Sequence, residues 1–203
     1  MFTTSWKALG TALVTGGLLM LGSAPAPAQI TDAAPAGVTA QAKFRNLTDD
    51  QVRELRKAIP RSVEYVESAI EDLEDDPESN DYEQWFGRWT ENRYDRVLSV
   101  FERIGDDAAY ATYDGDCDKN LQAEVDAYRT NYIWLCRGFW DLSPTGDVSM
   151  ASVIVHEESH FIANGGTEDY KYGADKCERL AEEHPDRAVR NADSYMFFAD
   201  DVR

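Results

Sequence analysis

The sequence predicts an α+β fold, mostly α, with a small antiparallel sheet. Three observations carry that expectation: apolar residues recur at helical spacing in three regions, a run of β-formers follows turn chemistry in mid-chain, and the composition suits one compact domain. Of the 203 residues 43% are hydrophobic, with five Trp, ten Tyr and eight Phe, too many for a disordered acidic chain. Thirty-eight acidic side chains face 20 basic ones, a net charge of -18. No basic footprint is left for nucleic acid or an anionic membrane surface, and cationic partners are favoured.

The N-terminal residues stand apart from the predicted core. Lys7 is the only cation of residues 1–28, Ala8 to Leu21 is an apolar run, and Ala24-Pro25-Ala26-Pro27-Ala28 offers a small-residue cleavage site. Residues 1–28 therefore read as an export signal, the run being shorter than the ~20 residues of a spanning helix. The mature chain would keep 19 basic side chains against 38 acidic ones, be secreted to the extracellular space or a periplasm, and touch no membrane. Residues 29–43, Ala- and Pro-containing and free of aromatic residues, read as a flexible leader or short pro-segment, and 44–203 as the folded domain, expected to be a monomer.

Within the domain, Thr48-Asp49-Asp50-Gln51 is a capping-box pattern that opens a helix. Val63, Val66, Ala69, Ile70 and Leu73 continue a helical stripe that stops before Pro77, with acids on its solvated face. Tyr82, Trp85, Phe86 and Trp89, then Val97, Leu98, Phe101 and Ile104, keep helical spacing and read as core. From about Ala109 to Leu142 strands and turns are expected. Tyr113-Asp114-Gly115-Asp116 is turn chemistry, and Asn131 to Cys136 reads as a strand, with an edge position that would let it bind a substrate backbone by strand addition. Three cysteines, Cys117, Cys136 and Cys177, permit one internal bridge. Cys117 with Cys136 would close a loop of about twenty residues, an ordinary size, but spacing alone leaves the pairing open. Cys177 falls in a helical stretch and reads as a half-buried thiol.

After the break at Ser143-Pro144-Thr145-Gly146, Asp147 or Ser149 can cap a helix carrying His156-Glu157-Glu158-Ser159-His160. Two histidines four apart lie on one helix face, so both imidazoles reach one ion. Glu157 beside them would hold the attacking water and take its proton. A catalytic zinc wants three protein ligands and an open position. The metzincin third ligand would fall at Gly166, which excludes that class, while Glu178, Glu182 and Glu183 offer a thermolysin-like solution one helix on. Nearer by, Asn164-Gly165-Gly166 ends the helix, and Asp169 could fold back onto the metal.

HEESHF followed by GGTEDYKYG resembles the aspzincin pattern, HExxH with GTxDxxYG, shared by deuterolysins and peptidyl-Lys metalloendopeptidases. DYEQWFGRWTENRYDRVL, WLCRGFW and PDRAVRNADSYMFFAD are similar to stretches of the peptidyl-Lys branch. The resemblance implies a zincin-like fold and a zinc endopeptidase with one zinc per chain. It implies His156, His160 and Asp169 as ligands, Glu157 as general base and Tyr172 as donor to the developing oxyanion. It also implies that Asp193 receives the lysine of a protein or peptide substrate on the carboxyl side of the cut, and that Cys117 pairs with Cys136.

Two departures qualify the resemblance. Met196 stands where the family pattern NAD-x-x-E-Y-F has its glutamate, so a lysine pocket would be less negative; and Gly115 replaces a cysteine whose early partner does not exist here. The alternative of another class is a secreted binding or inhibitory protein whose zinc is structural. A fourth protein ligand would mark it, and Cys177 and His184 are the only spares.

Overall fold

The computed structural model describes residues 41–203. The expected export signal, and the leader up to residue 40, lie outside the described residues, and Lys43 already opens the first strand.

Helix α1 (Asp49–Asp75) runs for 27 residues. Thr48 and Gln51 cap it reciprocally, and Pro60 is carried in its interior at the loss of one backbone donor. Its buried stripe, from Leu55 and Ile59 to Val66 and Leu73, has the expected spacing. The second helical region divides into α2 (Asn80–Phe86) and α3 (Glu91–Ile104). Gly87 makes the break: its φ is 79°, and a Cβ there would lie 2.2 Å from the Ala181 carbonyl oxygen, too close for any other residue.

The sheet has four short strands: β1 (Lys43–Arg45), β2 (Thr112–Asp114), β3 (Ala123–Val125) and β4 (Tyr132–Leu135), in the order β1-β2-β4-β3. It is mixed rather than antiparallel, because β1 with β2 and β2 with β4 run parallel and only β3 with β4 is antiparallel. Long connections between β1 and β2 and between β2 and β4 allow parallel pairing, whereas a short return joins β3 to β4. The expected turn at Tyr113-Asp114 begins instead at Gly115, since Tyr113 is buried and Tyr113 and Asp114 pair on both sides. The strand expected at an edge is β4, and it is interior; β1 and β3 are the edges.

Helix α4 (Met150–His160) is the central element. Ser149 caps it, and Met150 through Ser159 are all buried, so the helix is enclosed on every side, by α1, α7, α3 and β3 among others. Helices α5 (Ala174–Glu183), α6 (Pro185–Ala188) and α7 (Ala192–Asp201) complete the chain. Phe86, Phe101, Tyr195 and Phe198 form an aromatic cluster with centroids 5.0–5.7 Å apart, and Trp85 stacks on Phe197 at 4.9 Å. The expected aromatic stripe is thus core, and it fixes α7 beneath the site helix. Cys117 and Cys136 form a disulfide, and Cys177 is fully rather than half buried, its thiol pushed up to about 12 by burial first and then by Asp193. Among the described residues no helix is long and apolar enough to cross a membrane.

Candidate active site

One turn of α4 stacks His156 beneath His160, and their Nε2 atoms lie 3.1 Å apart. Asp169 Oδ1 lies 3.3 Å from each of them. A zinc ion with ligand bonds of about 2.0–2.1 Å at tetrahedral angles needs edges of roughly 3.3–3.4 Å, so this near-equilateral triangle fits it. These three form a group that could hold a metal ion; the other such group among the described residues, Cys117, Glu124 and Cys136, has its sulfurs tied in the disulfide. Glu178, Glu182 and Glu183 are exposed on α5; Glu178 accepts a hydrogen bond from Gln84 and, with Glu182, borders a separate hollow near Pro185. They are not brought to the triangle.

The far nitrogens of both imidazoles are held. His160 Nδ1 donates to the Thr167 carbonyl at 2.9 Å, and His156 Nδ1 meets Asp193 Oδ1 at 2.8 Å. Each bond leaves Nε2 as the lone-pair nitrogen facing the centre of the triangle. Burial opposes a charge on His156, but Asp169 and Asp193, with help from Glu157, outweigh it and push the imidazole up to about 10. The converse holds for Asp169: burial would raise its carboxyl, and the two histidines keep it well below the usual range. The pocket is electrostatically prepared for a cation at this point.

Asp169 reaches the histidines because the chain turns back directly after α4. Asn164, Gly165 and Gly166 all donate backbone N–H groups to the Phe161 carbonyl, and Gly166 takes the left-handed conformation (φ 59°). The following segment is fastened to the start of α7. Glu168 pairs with Asn191 in a parallel bridge, Lys171 N–H donates to Asn191 Oδ1 at 2.8 Å, and Gly173 N–H donates to Asp193 Oδ2 at 2.7 Å. Sequence reasoning missed Thr167 and Asn191. The Asn-Ala-Asp run was visible, but its partners lie about twenty residues upstream.

Glu157 is buried to 5% exposure at the edge of the cleft, and among the described residues its carboxylate has no hydrogen-bond partner. Burial raises its pKa, partly offset by the two histidines, which suits a group that must accept and return a proton. Tyr172 is half-exposed at the mouth, its ring nearly parallel to His156 with centroids 6.2 Å apart. Partial burial and the neighbouring Asp169 push its phenol well above the usual range, so it remains a donor. Asp193 is also at the cleft, but both its oxygens already serve protein donors.

These groups open into a cleft of about 990 Å³ whose wall includes β3, from Ala123 to Val125. The edge strand alongside the site is therefore β3, not the Tyr132–Cys136 segment.

Comparison with known proteins points the same way. A family model described as lysine-specific metallo-endopeptidase, the aspzincin model, matches residues 72–200. A peptidyl-Lys metalloendopeptidase of Pleurotus ostreatus is 33% identical over 163 residues, 78% of this chain and 96% of that protein. An extracellular protease of Aeromonas hydrophila is 35% identical over 130 residues, 63% of this chain but 38% of its own length. Among solved structures, a zinc peptidase from Grifola frondosa superposes with a TM-score of 0.74 at 31% identity, covering 76% of this chain and 97% of that one. With these matches the non-enzymatic alternative falls away, and the chain belongs to the aspzincin family of zinc metalloendopeptidases.

Proposed function

We propose that His156, His160 and Asp169 hold one zinc ion per chain and that Glu157 and Tyr172 carry the proton and charge traffic of peptide hydrolysis. The observation that carries this reading is the 3.1–3.3 Å triangle of ligand atoms beside an unpartnered Glu157. Zinc, when bound, supplies a Lewis acid that polarises the peptide carbonyl and acidifies water. Glu157 takes the proton of the attacking water and returns it to the leaving amine. Tyr172 donates its phenol to the oxyanion, a charge that exists only along the reaction path. Strand β3 offers its free edge to the substrate backbone.

Substrates are proteins or peptides, and Xaa-Lys bonds are among those cut. Asp193, on the cleft wall and assigned to the lysine by the family resemblance, is the carboxylate that favours this finer reading, and the net charge of -18 helps gather cationic substrates. The enzyme works as a monomer, since one chain supplies every group. It is exported, with residues 1–28 as signal and a leader that ends before strand β1 at Lys43; the apolar N-terminal run, the disulfide and the extracellular relative support this.

Digestion of a mixed peptide library with and without a chelator tests the reading. Cleavage should stop with the chelator and return with zinc, and Glu157→Gln should keep its zinc while losing roughly 10²–10⁴-fold in rate. Chelator-resistant cutting, or full activity of that variant, would overturn it.

A further inference from the structure

The chain carries Xaa-Lys bonds of its own. It has six lysines, and Lys43 is the only one between Lys7 and Lys57, standing where the expected leader gives way to strand β1. The bond before it joins Ala42 to Lys43.

The later lysines are held. Lys57 lies within α1 and pairs with Glu54, and Lys176 lies in the first turn of α5. A protease needs a locally extended substrate, so bonds in helices wait for the helix to unravel. Lys171 sits between Asp169 and Tyr172, its N–H fixed by Asn191. Lys119 is exposed, but its ammonium pairs with Glu124, and the Cys117–Cys136 bridge would keep the two ends of a cut there together.

Lys43 differs on each count. It is exposed, and its ammonium has no partner among the described residues. It opens a three-residue strand at one edge of the sheet, paired on one side only, with β2. Freeing the bond breaks the Lys43 N–H contact with the Ala111 carbonyl (2.9 Å) and the first rungs of β1, while the helices and the metal triangle stay as they are.

The position of β1 also decides which cleft does the cutting. Strands β1 and β3 are opposite edges of the sheet, with β2 and β4 between them, and β3 lines the cleft. Three strand spacings of about 4.8 Å separate the two edges. The bond therefore lies away from the cleft of its own chain, and its β1 edge faces outward to other molecules.

We propose that Ala42–Lys43 is a self-processing bond, hydrolysed in one copy of the chain by another. Water adds across the amide: Ala42 leaves as a carboxylate with everything before it, and Lys43 keeps the new α-amine. As an ammonium, that amine can still donate to the Ala111 carbonyl, so β1 stays on β2 after the cut. The proposal rests on the Xaa-Lys reading above and adds to it a substrate, the chain itself.

The test takes as substrate the full chain carrying Glu157→Gln, shown by mass to be intact at Ala42–Lys43, and adds a trace of zinc-loaded wild type. Intact mass and N-terminal sequencing should show a product beginning at Lys43, formed at a rate proportional to the wild type added and abolished by a chelator. Placing Lys43→Gln in the same substrate should slow loss of this bond at least about tenfold; the residue is exposed, so the fold should be unaffected. Should that variant fail to fold, the product of the Glu157→Gln chain decides. Lysine-containing peptides digested alongside separate the two readings. If they are cut at Xaa-Lys while the substrate chain stays whole, or is cut first at another bond, self-processing is overturned and the protease stands. Wild type that processes itself but leaves the Glu157→Gln chain whole overturns the role of a second copy. If the peptides are not cut either, both readings fall together.

Discussion

The triangle of His156, His160 and Asp169 draws on two regions built by different means. His156 and His160 stand on α4, a helix buried on every side, and their spacing follows from the helical turn itself. Asp169 and Tyr172 stand on the 167–173 segment, which has no regular structure beyond one bridge and is held by side chains of Asn191 and Asp193. Packing positions the first pair, and polar bonds position the second. The helix pair should therefore tolerate small losses around it, while the segment depends on a few named contacts.

The most direct way to break the contrast is to remove the ligand that the segment carries. Asp169→Ala should reduce zinc affinity by more than about 100-fold, above the roughly 10–100-fold typical of residues behind the ligands. Metal analysis after dialysis against a weak chelator reads this, and retained zinc would show that the histidines suffice or that another group substitutes.

Asn191→Ala sharpens the comparison without touching a ligand. Its Oδ1 holds Lys171 N–H, and its Nδ2 reaches both Ser194 Oγ and Cys177 Sγ. Zinc affinity should fall roughly 10–100-fold, and stability by about 1–3 kcal/mol for buried partners left unsatisfied. Competition with a zinc indicator and thermal melts of the metal-free variant separate the two effects; a melt change with unaltered zinc binding would assign Asn191 to folding alone.

The smallest effect concerns the helix side. Glu158 adjoins Glu157 in sequence but lies outside the cleft lining: it is fully buried, and neither carboxyl oxygen has a partner among the described residues. Burial first, then Asp107 and Glu157, hold its pKa well above the usual range. Because the folded value exceeds the unfolded one, the folded state is relatively most stable below the unfolded pKa of about 4.3 and loses that advantage as pH rises. Glu158→Met, of similar volume and uncharged, should therefore stabilise the protein by about 1–3 kcal/mol at pH 8 and by less at pH 4. Melts of both proteins at the two pH values check it; a gain of equal size at both would refute the ionisation account.

The same division explains what was legible in the sequence. Helical periodicity exposed α1, the aromatic core and α4, because those patterns repeat over short spans. The HExxH and GTxDxxYG runs pointed to all three atoms of the triangle for the same reason. Strand β1, the parallel pairings and the edge position of β3 were not visible, since each depends on a partner tens of residues away. Asp193 was singled out in the sequence for the substrate, and its attachment to His156 was not visible there. A carboxylate's sequence context does not reveal which of two nearby donors will claim it.

The Cys117–Cys136 bridge encloses both β3 and β4, and hence the strand edge that runs along the cleft. Opening the bridge returns loop entropy to the unfolded chain, a loss of stability of order 3 kcal/mol. Thiol balance in the surrounding medium therefore bears on the stability of the segment that carries β3, while His156, His160 and Asp169 lie outside the bridged loop. An oxidising environment is thus part of what keeps the strand edge beside the cleft in place.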